Sequence, residues 1–206
     1  MEELRKKFEQ RKSSLNQDRD EMMDEWRSLS DFYLPRRGRF LVEKNQKRNF
    51  NKIINSTGTY SAGVLANGMH TGLTNPARPW FRFSTGDTDL AEFGPVKHWL
   101  NIAEKVVQNI LHGSNIYNCL PSVYLEDGVF GTGCIGLFED YEDVVRGYPF
   151  TVGEYALGVD HRGYADSMYR EYKVTVGQAA KKFGVKNLST TVRNLYDRGN
   201  YDQSFT

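Results

Sequence analysis

Residues 49–83, N-F-N-K-I-I-N-S-T-G-T-Y-S-A-G-V-L-A-N-G-M-H-T-G-L-T-N-P-A-R-P-W-F-R-F, are the stretch on which the reading of this chain turns. Over residues 51–74, Ile54, Thr57, Ser61, Val64/Leu65 and Met69 recur at three- and four-residue spacing, which predicts one helix with an apolar stripe. Gly58, Ala62, Gly63, Ala66, Gly68 and Gly72 crowd that helix. Each glycine weakens it by roughly 1 kcal/mol relative to alanine, so close approach of a neighbouring element is the expected compensation. After Leu73 the helix has to stop, because Pro76 and Pro79 bias the residues before them away from helical backbone. Trp80, Phe81 and Phe83 then read as a strand entering a core. Arg78 and Arg82 flank the indole, and a guanidinium stacked on it or paired with a buried carboxylate would lock the turn.

Upstream, Leu4, Phe8, Leu15, Met22, Trp26, Leu29 and Tyr33 fall at helical spacing, predicting one long helix over residues 2–34 that Pro35 ends. At ~1.5 Å per residue it would be about 50 Å long, a span suited to an assembly. Residues 36–48, R-R-G-R-F-L-V-E-K-N-Q-K-R, lack periodicity and read as a loop. Arg36, Arg37, Arg39, Lys44, Lys47 and Arg48 on it are candidate phosphate contacts to nucleic acid; a solvated loop, or one paired with an acidic neighbour, is the alternative.

Downstream, Gly86 and Asp87-Thr-Asp-Leu90 read as turn residues before a helix over Val96–Leu111, with apolar positions Val96, Leu100, Ala103, Val106/Val107 and Ile110. Ser114 is a candidate cap for a further helix, interrupted or started at Pro121 and running to Phe130. Beyond Gly131 the period changes. Cys134–Tyr141, Phe150–Val159 and Tyr164–Val174 read as a meander of antiparallel strands, with turns at Arg146–Pro149 and Asp160–Gly163. Two short helices follow, Val176–Phe183 capped by Thr175 and Ser189–Arg198, closed by Gly184 and Gly199. The expectation is an α+β fold, long N-terminal helices packed with an antiparallel β-meander, organised as a helix over 1–35, a basic loop over 36–48 and an α+β domain over 49–206.

The net charge is only +1, but it is unevenly spread: residues 35–83 hold nine Lys and Arg against one Glu, and residues 84–168 hold four against thirteen Asp and Glu. Such blocks pair between neighbouring subunits or within one. Gly131-Thr-Gly133-Cys-Ile-Gly136 fits the letters of a dinucleotide motif, but a helix before it and a strand after it reverse the context such a site needs. Tight-turn glycines are the better reading. Cys119 and Cys134 form no C-x-x-C pair, and His70, His98, His112 and His161 show no metal spacing. Glu139, Asp140, Glu142 and Asp143 cluster, without the glycine and alternating ligands of a calcium loop. No phosphate loop or nucleophile elbow occurs, so neither an enzyme, a cofactor nor a metal is expected. No apolar run is long enough to cross a membrane.

Several ordered blocks carry a family resemblance: W-x-x-L leading to L-P-R at 26–36, N-S-T-x-T from Asn55, A-G-x-L-A-x-G-M-x-x-G-L-T-x-P-A-R-P-W-F-R from Ala62, V-F-G-T-G-C-I-G-L-F-E-D from Val129, F-T-V-G-E-Y-A-L-G-V-D-x-R-G-Y-A-D-S-M-Y-R-E from Phe150, and T-V-G-Q-A-A-K-K-F-G from Thr175. Together they resemble the head-to-tail connecting (portal) proteins of short-tailed bacteriophages, and cover nearly the whole chain. The resemblance implies the wing-like N-terminal part of a structural protein that forms a ring at one capsid vertex, with twelve subunits in the intact family member. It also implies assembly in the host cytoplasm, residence in the virion, and a role in packaging, ejecting and translocating double-stranded DNA. The implied partners are the terminase motor and the tail adaptor, scaffolding and capsid proteins. Asn55, Gly63, Gly68, Gly72, Pro76, Arg78, Pro79, Trp80, Gly131 and Gly133 are its structural signature positions. Family members continue through a further strand where this chain stops, so a fragment, a truncated product or one piece of a split protein is expected. An isolated nucleic-acid-binding module using residues 36–52 is the alternative, which strong salt-dependent binding by the monomer would favour.

Overall fold

The computed structural model of the chain describes residues 2–35, 53 and 55–205. The candidate phosphate contacts Arg36, Arg37, Arg39, Lys44, Lys47 and Arg48, and Ile54 of the expected apolar stripe, lie outside them. The chain divides into two compact units, Asn16–Gly153 and Met1–Leu15 with Glu154–Thr206.

Helix α1, Glu2–Tyr33, supplies residues to both units and agrees with its expected span. Its buried positions, Leu15, Arg19, Met23 and Ser30, differ from the expected stripe: Met22 is exposed and Met23 is core. Arg19 takes a stripe position because its guanidinium donates to the Gly153 carbonyl (3.4 Å) and pairs with Asp20 (2.9 Å). A search for apolar letters therefore skips it.

In the unit Asn16–Gly153, α1 is followed by α2 (Thr57–Leu73), α3 (Thr88–Glu92), α4 (Gly94–Gly113), α5 (Ile116–Phe130) and the antiparallel strands β1 (Cys134–Asp140) and β2 (Val144–Phe150). Met23, Leu34, Phe130 and Val152 form the core, with Trp26, Leu29, Leu125 and Val129 packed against it. Burial of such side chains contributes roughly 1.5–3 kcal/mol each. The Trp26 indole N–H donates to the Phe130 carbonyl (3.3 Å), and the almost fully buried Glu126 accepts the Val152 N–H (3.0 Å). Both bonds bind polar groups that would otherwise be stranded in this core.

Several elements depart from expectation. Helix α2 starts at Thr57, later than expected, behind a turn in which the Asn55 carboxamide accepts the Thr57 N–H (3.1 Å). Asp87 is not a passive turn residue; its carboxylate accepts the N–H groups of Asp89 and Leu90 and starts α3. Helix α5 runs unbroken through Pro121. Residues 80–85 form no strand, and Trp80 and Phe83 stay partly exposed. Arg146–Pro149 lies inside β2, because the hairpin turns earlier, at Tyr141–Asp143, where Asp140 accepts the N–H groups of Glu142 (2.9 Å) and Asp143 (3.1 Å).

In the other unit, β3 (Tyr155–Val159) and β4 (Ala165–Arg170) form an antiparallel hairpin across the expected turn, where the Asp160 carboxylate accepts the N–H groups of Arg162 (2.8 Å) and Tyr164 (2.9 Å). Leu15 and Arg11 of α1 close so tightly over Gly158 that a methyl there would lie 3.1–3.3 Å from them. Lys12 pairs with Glu171, and the buried Glu154 pairs with Arg170. Strand β5 (Val174–Thr175) leads into α6 (Val176–Phe183), opened by a full Thr175/Gln178 capping box, then α7 (Thr190–Asp197), capped by Ser189, and β6 (Ser204–Phe205), which returns antiparallel to β5. Gly184 and Gly199 end α6 and α7 in left-handed backbone, as the sequence implies. The antiparallel pairing thus appears as three two-stranded sheets among seven described α-helices, an α+β fold.

Candidate functional site

The signature positions fall on the turn before α2 (Asn55), on α2 itself, on its exit and on the link from α5 to β1. On α2 the inward face is Gly58, Ala62, Ala66, His70 and Thr74, a strict four-residue repeat of half-buried and buried residues. Of the expected stripe, Thr57, Ser61, Val64 and Leu65 are exposed and Met69 is half-buried. The packed stripe is small because α1 and α5 come close. A methyl on Gly58 would lie 3.0 Å from the Tyr33 ring, and one on Gly128 of α5 would lie 2.9 Å from Leu65. Close approach therefore explains Gly58, and Ala62 and Ala66 are buried on the same face. It does not explain Gly63, Gly68 or Gly72, where a methyl would meet nothing within 4 Å among the described residues.

The exit from α2 is fastened by side chains from several elements. Thr74 exchanges a hydrogen bond with His70 Nδ1 (3.0 Å) and another with the Tyr124 hydroxyl on α5 (3.0 Å). The Asn75 carboxamide then accepts the Ala77 N–H (2.8 Å), and its carbonyl accepts the Arg78 N–H (3.3 Å), turning the chain through Pro76. Past Pro79, the Trp80 indole donates to the Tyr117 hydroxyl on α5 (3.0 Å) and meets Phe81 edge-on at 4.9 Å. The Tyr117 ring has its centroid 5.1 Å from that of His112 and 6.3 Å from that of His70. Among the described residues neither Arg78 nor Arg82 covers the indole or enters an ion pair, and both are exposed. Among the described residues, the side chain that fastens this turn is Tyr117.

At the other end of α5, Gly131 takes φ 73° to end the helix, with its N–H on the Asp127 carbonyl. A methyl on Gly133 would lie 2.9 Å from the Val123 carbonyl oxygen, which is backbone and cannot swing aside. The two glycines thus serve a helix end and a close crossing, and β1 follows them directly. Asn115 holds the cap position of α5 without a side-chain capping bond, and the Ser114 hydroxyl, the expected cap, accepts the Ile116 N–H (3.3 Å). The Asn115 carboxamide donates to the Gly147 carbonyl (2.9 Å) and accepts the Gly147 N–H (2.8 Å), tying α5 to β2. Cys119 lies on the same carbonyl (3.4 Å), and burial pushes its thiol up against a smaller opposing pull from Arg146.

Sequence reasoning missed Thr74, Tyr117 and Tyr124. Tyr117 and Tyr124 sit seven residues apart on one face of α5, a spacing visible in the letters, but nothing local names their partners. The acidic cluster Glu139–Asp143 sits at the β1–β2 turn, where backbone N–H bonds from Glu142 and Asp143 hold the Asp140 carboxyl below the usual carboxylate range. Among the described residues no group of three or more acidic, histidine or cysteine side chains is arranged to hold a metal, and no helix is long and apolar enough to cross a membrane. What the arrangement does is mechanical: it fixes α2, its exit and the β1–β2 hairpin on α5.

Residues 5–206 match the family of bacteriophage head-to-tail connecting proteins. The chain is 39% identical over 193 residues to the portal protein of Salmonella phage epsilon15, covering 92% of this chain and 34% of that protein. It is 41% identical over 205 residues to the probable portal protein of Bordetella phage BPP-1, covering 98% of this chain and 37% of that protein. The chain therefore spans about a third of the length of the curated relatives it matches. By the extent of that match, the chain belongs to the bacteriophage head-to-tail connecting protein family.

Proposed function

We propose that this chain is a segment of a structural portal, the connector that forms a ring at one capsid vertex through which double-stranded DNA is packaged and ejected and to which the tail attaches. The match over residues 5–206 carries the reading, and the fastened α2–α5 framework suits a scaffold better than a catalyst. The intact protein is a dodecameric ring. It meets the terminase motor, the scaffolding and capsid proteins and the tail adaptor, and it assembles in the host cytoplasm before residing in the virion. The signature residues Asn55, Gly63, Gly68, Gly72, Pro76, Arg78, Pro79, Trp80, Gly131 and Gly133 have structural roles, and Arg36, Arg37, Arg39, Lys44, Lys47 and Arg48 face DNA or an acidic neighbour.

Labelling of purified virions with an antibody raised against the 206-residue chain tests the reading. Label at a single vertex of each particle is expected. Label spread over the shell, or restricted to infected-cell extract with none on particles, overturns it.

A further inference from the structure

The chain passes between its two compact units twice, inside α1 at Leu15/Asn16 and again at Gly153/Glu154. At the second crossing the residues on either side are both anchored. Val152 is fully buried, and its N–H is held by the Glu126 carboxylate of its own unit (3.0 Å). Glu154, also buried, pairs through its carboxylate with Arg170, and its carbonyl accepts the Glu171 N–H (3.0 Å), both in the other unit. A single residue separates the two anchors.

That residue is Gly153, with φ 88° in the left-handed region. Glycine changes φ and ψ at lower steric cost than any other residue, and hinges are built from a few positions that absorb a large backbone change. Its carbonyl accepts the Arg19 guanidinium (3.4 Å), which holds this peptide in its present setting from α1. The first crossing has matching chemistry. Ser13, Ser14 and Asn16 surround it, in the middle of a 32-residue helix. Serine and asparagine are poorer helix formers than the Gln, Arg and Lys just before them, and serine pairs are among the places where long helices bend. On the two sides of this turn α1 is fastened separately: Lys12 pairs with Glu171 in one unit, and Arg19 reaches Gly153 in the other.

We propose that Gly153 and the Ser13–Asn16 turn of α1 form a two-point hinge on which the unit of residues 1–15 and 154–206 turns against the unit of residues 16–153, with the Arg19–Gly153 bond as its catch. Two crossings define one axis, so the motion is a rotation. The anchors on Val152 and Glu154 stay intact through it, because Gly153 between them absorbs the change. The hinge goes beyond the portal reading and does not depend on it.

The test uses the full 206-residue chain with Cys119→Ala and Cys134→Ala, spin-labelled at Tyr141→Cys and Tyr164→Cys, one exposed position in each unit. Pairs within one unit, at Tyr60→Cys with Tyr141→Cys and at Tyr164→Cys with Lys186→Cys, are the controls. Double electron–electron resonance should give a broader distance distribution for the first pair than for either control. Gly153→Asn keeps left-handed backbone accessible while removing most of the other conformations open to glycine, and should narrow that distribution. Arg19→Met removes the catch and should broaden it. Circular dichroism checks that each variant folds. Hydrogen exchange of the unsubstituted chain gives a second reading that needs no variant: the amides around Ser13–Asn16 should open faster than those of the turns before and after them. Any of three results overturns the hinge: a first-pair distribution as narrow as the controls, one unmoved by Gly153→Asn or by Arg19→Met in a folded chain, or uniform exchange along the middle of α1. None of these touches the single-vertex labelling, which tests the portal reading separately.

Discussion

The indole N–H of Trp80 reaches the hydroxyl of Tyr117 at 3.0 Å, joining the segment that leaves α2 to the first turns of α5, thirty-seven residues further along the chain. Among the described residues it is the side-chain bond that holds Trp80. Removing its acceptor in Tyr117→Phe should lower the unfolding free energy by about 0.5–1.5 kcal/mol. A double-mutant cycle with Trp80→Phe, read by urea denaturation, should return a coupling of about 1 kcal/mol. Additive effects of the two substitutions would mean the contact carries no energy.

Two glycines of the signature should respond in opposite directions. At Gly133 a methyl would press on the Val123 carbonyl, and Gly133→Ala should destabilise by about 1–3 kcal/mol. At Gly68 a methyl meets nothing within 4 Å among the described residues, the backbone is helical, and Gly68→Ala should stabilise the chain by up to ~1 kcal/mol. Thermal melts of the two variants measured side by side read both signs.

Glu126 is almost fully buried and accepts the Val152 N–H. Glu126→Gln keeps an oxygen acceptor at that point, whereas Glu126→Leu leaves the amide of Val152 without it. The leucine variant should therefore lose about 1–3 kcal/mol more than the glutamine variant, measured as the difference in their denaturation midpoints at equal slope.

The elements were largely legible in the sequence, and their faces were not. The Thr175/Gln178 box and the terminal glycines Gly184 and Gly199 are local signals, and each appears where the sequence puts it. Hydrophobic letters point to the wrong face of α2, because the packed residues there are small: Ala62 and Ala66 are buried while Val64 and Leu65 are not. Arg19 on α1 and the Tyr117–Trp80 bond escaped because their partners lie far along the chain. The β1–β2 turn was misplaced because Gly147-Tyr-Pro149 looks like a turn, yet Gly147 is held between the two polar ends of Asn115.

The β1–β2 turn makes a prediction about pH. Asp140 accepts two backbone N–H bonds, so its carboxyl is held below the ordinary range, and the ionised form is favoured in the fold. The stability this gives is present above about pH 4, the ordinary carboxylate value, and is lost as pH falls through the lowered value. Asp140→Ala should abolish that low-pH dependence of amide exchange at Glu142 and Asp143. Beside it, Val144 has φ 67°, costly for a β-branched residue, and the Val145 N–H bonds the Asp143 carbonyl across it at 2.8 Å. Val144→Gly should therefore raise stability by about 1 kcal/mol.

The two thiols should separate in labelling. Cys119 is buried against the Gly147 carbonyl and its thiol is pushed up by burial, whereas Cys134 is partly exposed at the start of β1. Since the thiolate is the reactive form, Cys134 should react with a maleimide or disulfide reagent well before Cys119 at neutral pH. The sign of the coupling to stability follows from the raised value. The fold favours the protonated thiol, so its contribution is complete below about pH 8.5 and declines as pH rises toward the elevated value. Labelling of Cys119 in denaturant at the same pH should be fast, which makes its rate under native conditions a direct readout of the opening of α5 from β2. Equal native rates for the two cysteines would show that the Asn115–Gly147 tie does not hold that face shut.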